Sequence, residues 1–173
     1  MRGGPLQELE PVFSDFIRAH GDRAMRLAFV TLRDRTEAED VAQEAFFRLW
    51  RHAVAHGVNT LSPALLYQTV VNLCRDRARY RRRHPEDSTD LDALHRGGPT
   101  APDRDQAMAI YQAVQSLKPV ERQVILLFYY LDQSLKDTAA ILGLSEQLVK
   151  TRLFRARQHL KPLLEPIVRE EVT

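Results

Sequence analysis

Apolar residues recur every three or four positions along most of this chain, which is the spacing that places them on one face of an α-helix. Residues 12–33 follow this pattern and predict one helix, or a pair of helices broken around Gly21. Thr36 and Glu39 have the spacing of a capping box, in which two side chains satisfy free backbone N–H groups at a helix start. They predict a second helix that runs to about His52.

Ser62 and Pro63 predict the start of a third helix, because serine caps helix ends and proline is favoured at the first helical position. This helix should end before Pro85, since a residue that precedes proline avoids helical geometry. No Asn-Gly or Asp-Gly pair separates alternating strands, so no hairpin is predicted. Further helices are predicted near residues 104–117, 119–131, 135–142 and 146–163.

The helical pattern is lost in residues 84–105. This stretch holds six acidic residues, two arginines, three prolines and a Gly-Gly pair, with few apolar residues. Such a composition buries too little apolar surface to offset the entropy of ordering the chain. We therefore predict an all-α fold of two small helical domains, residues 10–84 and 105–167, joined by a flexible acidic linker, residues 85–104.

Charge is strongly segregated in this chain of 173 residues, although its formal net charge is only +2. RDRARYRRR (75–83) has six arginines and one acid, whereas TEAEDVAQE (36–44) has four acids and no base. Local fields of opposite sign favour different partners. The longest apolar run, VILLFYYL, is too short for a bilayer span of ~20 residues, and the N-terminus lacks a signal core. Together with a single cysteine, this predicts a cytoplasmic protein without membrane insertion.

The residues on both sides of Gly143 predict a helix-turn-helix. A short helix comes before the glycine turn, and a longer basic helix follows it. Val149, Leu153, Ala156 and Leu160 form the apolar stripe of the second helix. A solvated basic face is the alternative, but an outward phenylalanine favours a partner, and such helices enter the DNA major groove. The candidate DNA-binding residues are Gln147, Lys150, Thr151, Phe154 and Arg155.

The arginine-rich end of the third helix predicts a second nucleic-acid surface, with arginines on phosphates and amide side chains able to read base edges. The alternative is a basic last turn that matches the helix dipole. The candidates on this outward side are Gln68, Asn72, Arg75, Arg79 and Arg82. Tyr80 is expected in the core, whereas Tyr67 could lie in the core or stack on an unpaired base.

The acidic helix carries a candidate protein-docking surface, because Phe47 lies among charged residues on its outward face. Asp40, Gln43 and Glu44 share that face, and carboxylates are unsuited to DNA. His52 and His56 have the spacing of a metal pair but lack a clear third ligand, so we interpret them as surface residues. No phosphate loop, nucleophile motif or zinc-protease motif is present, so we expect no catalytic residue, metal or cofactor.

Three stretches, in this order, resemble the extracytoplasmic-function (ECF) sigma factors, promoter-specificity subunits of bacterial RNA polymerase. They are AEDVAQEAFFRLW (38–50), LYQTVVNLCRDRARYRRR (66–83) and LKPVERQVILLFYYLDQSLKDTAAILGLSEQLVKTRLFRAR (117–157). The resemblance implies two helical domains, region 2 and region 4, and binding to core polymerase at the clamp coiled coil of its largest subunit and the flap of its second-largest subunit. It also implies that members are often controlled by an anti-sigma factor.

By the same resemblance, Asp40, Gln43, Glu44 and Phe47 lie where the family docks on the clamp. Asn72 and its neighbours lie where the family opens and reads the −10 element, and Lys150, Thr151, Phe154 and Arg155 lie where it reads the −35 element. Leu65 stands where many members have tryptophan, which leaves Tyr67 as the remaining aromatic there. The rival interpretations are a free-standing helix-turn-helix repressor, which the acidic helix disfavours, and a scaffold that binds polymerase but not DNA.

Overall fold

The computed structural model describes residues 5–85 and 104–171, and every regular element within these two ranges is helical. The chain divides into two compact units at Leu91–Asp92. The first unit contains α1 (Pro5–Leu32), α2 (Arg35–His56), a 3-10 helix (Val58–Thr60) and α3 (Pro63–Arg83). The second contains α4 (Arg104–Gln115), α5 (Pro119–Ile125), a π-helix (Leu126–Tyr130), α6 (Leu135–Leu142) and α7 (Glu146–Glu171). The all-α fold is confirmed, whereas residues 86–103 of the predicted linker lie outside the described residues.

Helix α1 is continuous through Gly21, so of the two predicted alternatives the single helix forms and the broken pair does not. A glycine inside a helix costs only about 1 kcal/mol relative to alanine. Complete burial of Ala24, Leu27 and Ala28 in the following turns outweighs that cost. A Cβ at Gly21 would lie 3.9 Å from the Ile17 Cγ2 atom, so no close backbone approach requires glycine there.

Helix α2 begins at Arg35, one residue before Thr36. The predicted capping box of Thr36 and Glu39 is therefore wrong. The N-cap is Asp34, whose side chain accepts a hydrogen bond of 2.9 Å from the backbone N–H of Glu37. Asp34 is extended and follows Arg33, whose positive φ of 60° ends α1. Aspartate caps a helix as well as threonine does, so the earlier residue is chemically competent. The helix also continues past His52 to His56.

The three long helices of the first unit enclose one core. Val41, Leu49, Leu66 and Val70 are almost completely buried in it. An aromatic group extends this core between α1 and α2. The ring of Phe13 lies 5.1 Å from that of Trp50 and 6.4 Å from that of Phe46. Helix α3 starts as predicted, with the Ser62 hydroxyl accepting from the Leu65 N–H at 3.1 Å, and it ends at Arg83, before Pro85.

The second unit differs from the prediction in three helix ends. Helix α4 ends at Gln115 rather than Leu117, and the guanidinium of Arg122 donates to the carbonyls of Gln115 and Leu117 at 3.2 and 3.0 Å. This buried arginine therefore satisfies carbonyls that the helix end leaves free. The predicted helix 119–131 is α-helical only to Ile125 and then becomes a π-helix, with the Leu131 N–H bonded to the Leu126 carbonyl at 2.9 Å.

Helix α7 extends eight residues beyond its predicted end at Leu163, to Glu171, and contains Pro162 and Pro166. Each proline removes one backbone hydrogen bond of the helix. Both prolines are exposed, so their rings contact solvent rather than a packed neighbour. The apolar stripe of α7 is confirmed, since Val149, Leu153, Ala156 and Leu160 are all buried.

Candidate functional sites

The four residues predicted to dock on a protein partner line one groove. Its volume is about 720 Å³, and α2 supplies Asp40, Gln43, Glu44, Phe47 and Arg48 to its wall. Helix α3 supplies the facing wall with Leu73, Asp76, Arg77 and Tyr80. The groove exists because both helices turn their apolar stripes to the same core, which leaves their margins side by side.

Two aromatic residues make the groove partly apolar. Phe47 is 55% exposed and Tyr80 is 53% exposed, although both are large. The expectation that Tyr80 lies in the core is therefore wrong; its ring stacks on that of His84 at 4.2 Å in the last turn of α3. The guanidinium of Arg51 lies 5.9 Å from the centre of the Phe47 ring. Exposed aromatic side chains ringed by charge are typical of protein–protein anchors.

The charges of the groove are partly balanced within the chain. Arg48 Nε donates to Glu44 Oε1 at 2.7 Å, and Arg79 and Asp76 form a longer pair at 3.4 Å. Within the residues that the structure describes, Asp40 forms no ion pair. The groove thus presents one carboxylate, Asp40, that a basic partner can use directly, and two, Glu44 and Asp76, that already have a guanidinium beside them.

The outward side of α3 presents its polar residues largely as expected. The exposed members are Gln68, Asn72, Arg79 and Arg82, and Arg75 is half-buried. Tyr67 is fully buried, which resolves the open alternative in favour of the core and leaves no aromatic ring for base stacking at that position. Its apolar neighbours Leu66 and Val70 are also buried, so the core-facing side of α3 is wider than a single stripe.

A second, smaller pocket of about 210 Å³ lies between α2 and α3. It contains Leu65, at the position where the resemblance led us to expect tryptophan, and Asn72, the proposed base-reading residue. The other lining residues are Arg48, Leu49, His52 and Thr69. The rings of His52 and His56 stack at 4.4 Å, and His56 Nδ1 lies 3.0 Å from the His52 carbonyl.

Arg81 is a structural residue that sequence reasoning did not separate from its neighbours in the arginine run. Its Nε and Nη2 atoms contact the two Glu37 carboxylate oxygens at 3.0 and 2.5 Å. Its Nη1 also donates to the Leu32 carbonyl at 3.3 Å, and Nη2 lies 3.7 Å from Asp34 Oδ2. Arg81 therefore joins the end of α1, the start of α2 and the last turns of α3. This role was not predicted from the sequence because Arg81 and Glu37 lie 44 positions apart.

The helix-turn-helix forms as predicted in the second unit. Gly143 takes the left-handed conformation with φ 66° and ψ 37°, and Ser145 accepts from the Leu148 N–H at 3.2 Å to cap α7. Gln147, Lys150 and Arg155 are exposed, Thr151 is half-exposed, and Phe154 is 60% exposed. The predicted outward face is thus a real surface of this unit.

The four basic residues of α7 between positions 150 and 157 fall into two pairs. Arg157 Nε donates to the Tyr129 hydroxyl at 2.6 Å, and Arg152 lies 3.9 Å from the buried carboxylate of Glu121. Lys150 and Arg155 have no such partner within the described ranges. Since only the latter two are exposed without an intramolecular acceptor, they are the cations most available to a phosphate or a base.

Two features that would indicate other classes of protein are not found in the described parts of the chain. No helix there is long and apolar enough to cross a membrane. No group of three or more His, Cys, Asp or Glu side chains there could hold a metal ion.

Comparison with known families matches both units. The model of sigma-70 region 2 matches residues 16–84, and the model of sigma-70 region 4 matches residues 107–160. The fold and its surfaces thus define a protein of the sigma-70 class. The ECF RNA polymerase sigma factor SigM of Mycobacterium tuberculosis is 30% identical over 152 residues, which cover 88% of this chain and 76% of SigM. The chain belongs to the ECF RNA polymerase sigma factors.

Two solved structures are also similar. The sigma factor RpoE from Bartonella quintana, in complex with the anti-sigma factor NepR, has a TM-score of 0.69 and 23% identity, covering 92% of this chain and 95% of RpoE. CnrH, in complex with the cytosolic domain of CnrY, has a TM-score of 0.60 and 26% identity, covering 89% of this chain and 88% of CnrH. As a sigma factor, this protein acts by binding RNA polymerase and promoter DNA in transcription initiation, and it is not an enzyme.

Proposed function

We propose that the groove between α2 and α3 docks on the clamp coiled coil of the polymerase's largest subunit. The observation that carries this proposal is that Asp40, Gln43, Glu44 and Phe47 line one groove. Phe47 supplies the apolar anchor, and Asp40 supplies a carboxylate for a basic partner residue. A docking surface of this composition combines the buried aromatic contact that dominates affinity with charges that select the partner.

A double substitution tests the docking assignment. Phe47→Ala with Glu44→Lys should weaken core polymerase binding by about 30-fold or more, since loss of an aromatic hot spot costs ~2 kcal/mol and each 1.4 kcal/mol is tenfold. Fluorescence anisotropy with labelled sigma factor measures the affinity. Val54→Ala is the matched control, because Val54 is an exposed apolar residue of α2 (49%) that lines neither groove nor pocket. Unchanged affinity in the double variant would refute the docking assignment.

For the −10 element, we propose that the outward side of α3 holds the promoter strand. Its residues are Gln68, Asn72, Arg75, Arg79 and Arg82, with arginines on phosphates and the amides on base edges. Capture of an unpaired base on this unit would supply the melting energy, since unstacking a base costs a few kcal/mol. Because Tyr67 is buried, a base would be held by polar and aliphatic groups rather than by that ring.

For the −35 element, we propose that α7 enters the major groove and presents Gln147, Lys150, Thr151, Phe154 and Arg155. The exposure of Lys150 and Arg155 without an internal acceptor supports these two as the principal cations. Arg155→Ala should reduce transcription from the cognate promoter about tenfold and relax discrimination at one −35 base pair, since a bidentate contact with guanine is worth ~1–3 kcal/mol.

Arg82→Ala is the companion variant, since Arg82 is exposed in a run of arginines and should grip the backbone. It should reduce transcription from all promoters alike. It should also lower by about one the slope of the logarithm of DNA affinity against the logarithm of salt concentration. Transcription from promoter variants at two salt concentrations distinguishes the two effects. An equal loss for every −35 variant with Arg155→Ala would assign that side chain to phosphate.

We propose that the −10 and −35 contacts belong to two different domains. We place these domains at residues 10–84 and 105–167, with a linker at 85–104. We propose that the second domain also contacts the flap of the second-largest subunit, in keeping with the family, and that the protein works in the cytoplasm, where polymerase is. Joined domains let two weak DNA contacts act together through effective concentration. A polymerase lacking the flap tip should lose −35-dependent transcription selectively.

We also propose control by an anti-sigma factor that covers the exposed aromatic residues of the groove. RpoE and CnrH, which this chain resembles, were both solved with a bound partner. A protein that covers Phe47 would exclude polymerase from the same surface. Such a regulator should compete with core polymerase for the wild-type chain and bind the Phe47→Ala variant weakly.

A further inference from the structure

Arg48 is the one described residue that lines both the docking groove and the small pocket beside it. In the groove it lies with Glu44 and Phe47, and in the pocket it lies with Asn72. Its side chain is 53% exposed, and its Nε donates to Glu44 Oε1 at 2.7 Å. A single guanidinium is thus within reach of a surface assigned to polymerase and of a surface assigned to DNA.

The pair between Arg48 and Glu44 is easy to exchange. Both side chains are about half exposed and lie four residues apart on one helix, and such pairs contribute little to stability. If polymerase places its own cation against Glu44, the carboxylate no longer needs Arg48. The freed guanidinium can then turn towards the pocket side of α2, where Asn72 marks the proposed path of the promoter strand.

We propose that Arg48 is a further DNA-binding residue whose availability depends on polymerase docking. In the free protein Glu44 holds Arg48, and docking transfers Glu44 to a basic residue of the polymerase. Arg48 then contacts a promoter phosphate beside Asn72. This proposal rests on the proposed docking surface. By linkage, the two binding events are coupled, so DNA held by Arg48 must also favour docking.

The free protein offers a test that needs no polymerase. Glu44→Gln should release Arg48, so binding of a labelled single-stranded DNA of mixed sequence should tighten, and its salt slope should steepen by about 0.7 per added phosphate contact. The matched control is Glu39→Gln. Glu39 pairs with Arg35 at 2.9 Å on the same helix at similar exposure, but neither residue lines the groove or the pocket.

The double variant separates a released arginine from the mere loss of a negative charge. In an Arg48→Gln background, Glu44→Gln should no longer steepen the salt slope. If Glu44→Gln and Glu39→Gln change DNA binding equally, or if the steepening survives Arg48→Gln, the proposal is overturned. Circular dichroism at matched concentrations verifies that each variant keeps its helix content.

The holoenzyme gives the second arm. Arg48→Gln should raise core affinity slightly, because Glu44 is relieved of its internal partner. Binding of the same single-stranded DNA by the holoenzyme should lose about 0.7 of salt slope. Weakened core affinity with unchanged DNA binding would make Arg48 a docking residue and overturn the proposal. Failure of the docking assignment itself would show separately, as full core affinity in the Phe47→Ala, Glu44→Lys variant.

Discussion

Replacement of Arg81 by alanine should destabilise the first unit, whereas replacement of its neighbour Arg82 should not. Arg81 contacts the Glu37 carboxylate through two nitrogens and also reaches the Leu32 carbonyl and the Asp34 carboxylate. Its side chain is only 32% exposed, and those of Asp34 and Glu37 are 22% and 25% exposed. Arg82 is exposed and follows it directly in sequence.

The magnitude follows from these contacts. Hydrogen bonds to charged groups contribute ~1.5–3 kcal/mol, and the Leu32 and Asp34 contacts are long, so we expect a loss of about 2 kcal/mol. For a domain of this size, each 1 kcal/mol moves the melting temperature by ~4–8 °C. Arg81→Ala should therefore lower it by about 8–16 °C. The melting temperature of Arg81→Lys should lie between those of Arg81→Ala and the wild type, because an ammonium group cannot make the bidentate contact.

Trp50 makes the assay specific to this unit. It is the only tryptophan in the chain and packs on Phe13 in the first unit, so its fluorescence reports the unfolding of that unit alone. Thermal melts followed at this signal should shift for Arg81→Ala, whereas Arg82→Ala should stay within ~0.5 kcal/mol of the wild type, as surface changes usually do. Equal melting temperatures for Arg81→Ala and the wild type would refute the structural role of Arg81.

Three further predictions concern glycine, the cysteine and a tyrosine. Gly143→Ala should destabilise the second unit by about 1–2 kcal/mol, because the φ of Gly143 is 66° and left-handed. Gly21→Ala should stabilise the first unit by up to about 1 kcal/mol. Denaturant unfolding measures both changes in free energy, and changes of the same sign would contradict the different roles given to the two glycines. Burial, with a smaller contribution from Glu37, raises the pKa of the Cys74 thiol to about 12. Native protein should therefore react slowly with a thiol reagent, and stability from this group should fall as pH rises from about 9 towards 12, where only the unfolded chain loses the proton. Immediate stoichiometric labelling of the native protein would exclude this burial. Tyr129→Phe removes the acceptor of Arg157 and should cost about 0.5–1.5 kcal/mol, seen as faster hydrogen exchange in α7.

Helix ends governed by a single residue were predictable from the sequence. Ser62 and Gly143 each act through their own side chain or backbone freedom, and the structure places both as predicted. The start of α2 was not predictable in this way. Asp34 and Glu37 have the same spacing as Thr36 and Glu39. Arg81, more than forty positions away, pairs with Asp34 and Glu37 and not with the other two.

The two tyrosines of α3 show the same limit for the candidate site. Periodicity places residues on a helix face, but the width of the buried face depends on what packs there. Tyr67 is buried because α3 packs on both other helices of the first unit, and Tyr80 is exposed because it lines the groove beside Phe47. The outward positions of Phe47 and Phe154 follow directly from the period, since each lies opposite a well-defined apolar stripe.

The left-handed glycine between α6 and α7 has a consequence for how this protein can vary. A single-base change at the first two positions of a glycine codon either creates a stop codon or adds a side chain, and alanine, valine, serine, cysteine, arginine, aspartate, glutamate and tryptophan are the residues so reached. Asparagine and aspartate are the side chains that best accept a positive φ, and asparagine lies two base changes away. Aspartate is therefore the only well-tolerated neighbour in the genetic code, and it would bring a negative charge to the turn before α7, the helix that we propose to contact DNA. In populations, we expect codon 143 to change almost only by synonymous substitution, while the exposed positions of α7, if they read the promoter as proposed, change along with the promoters.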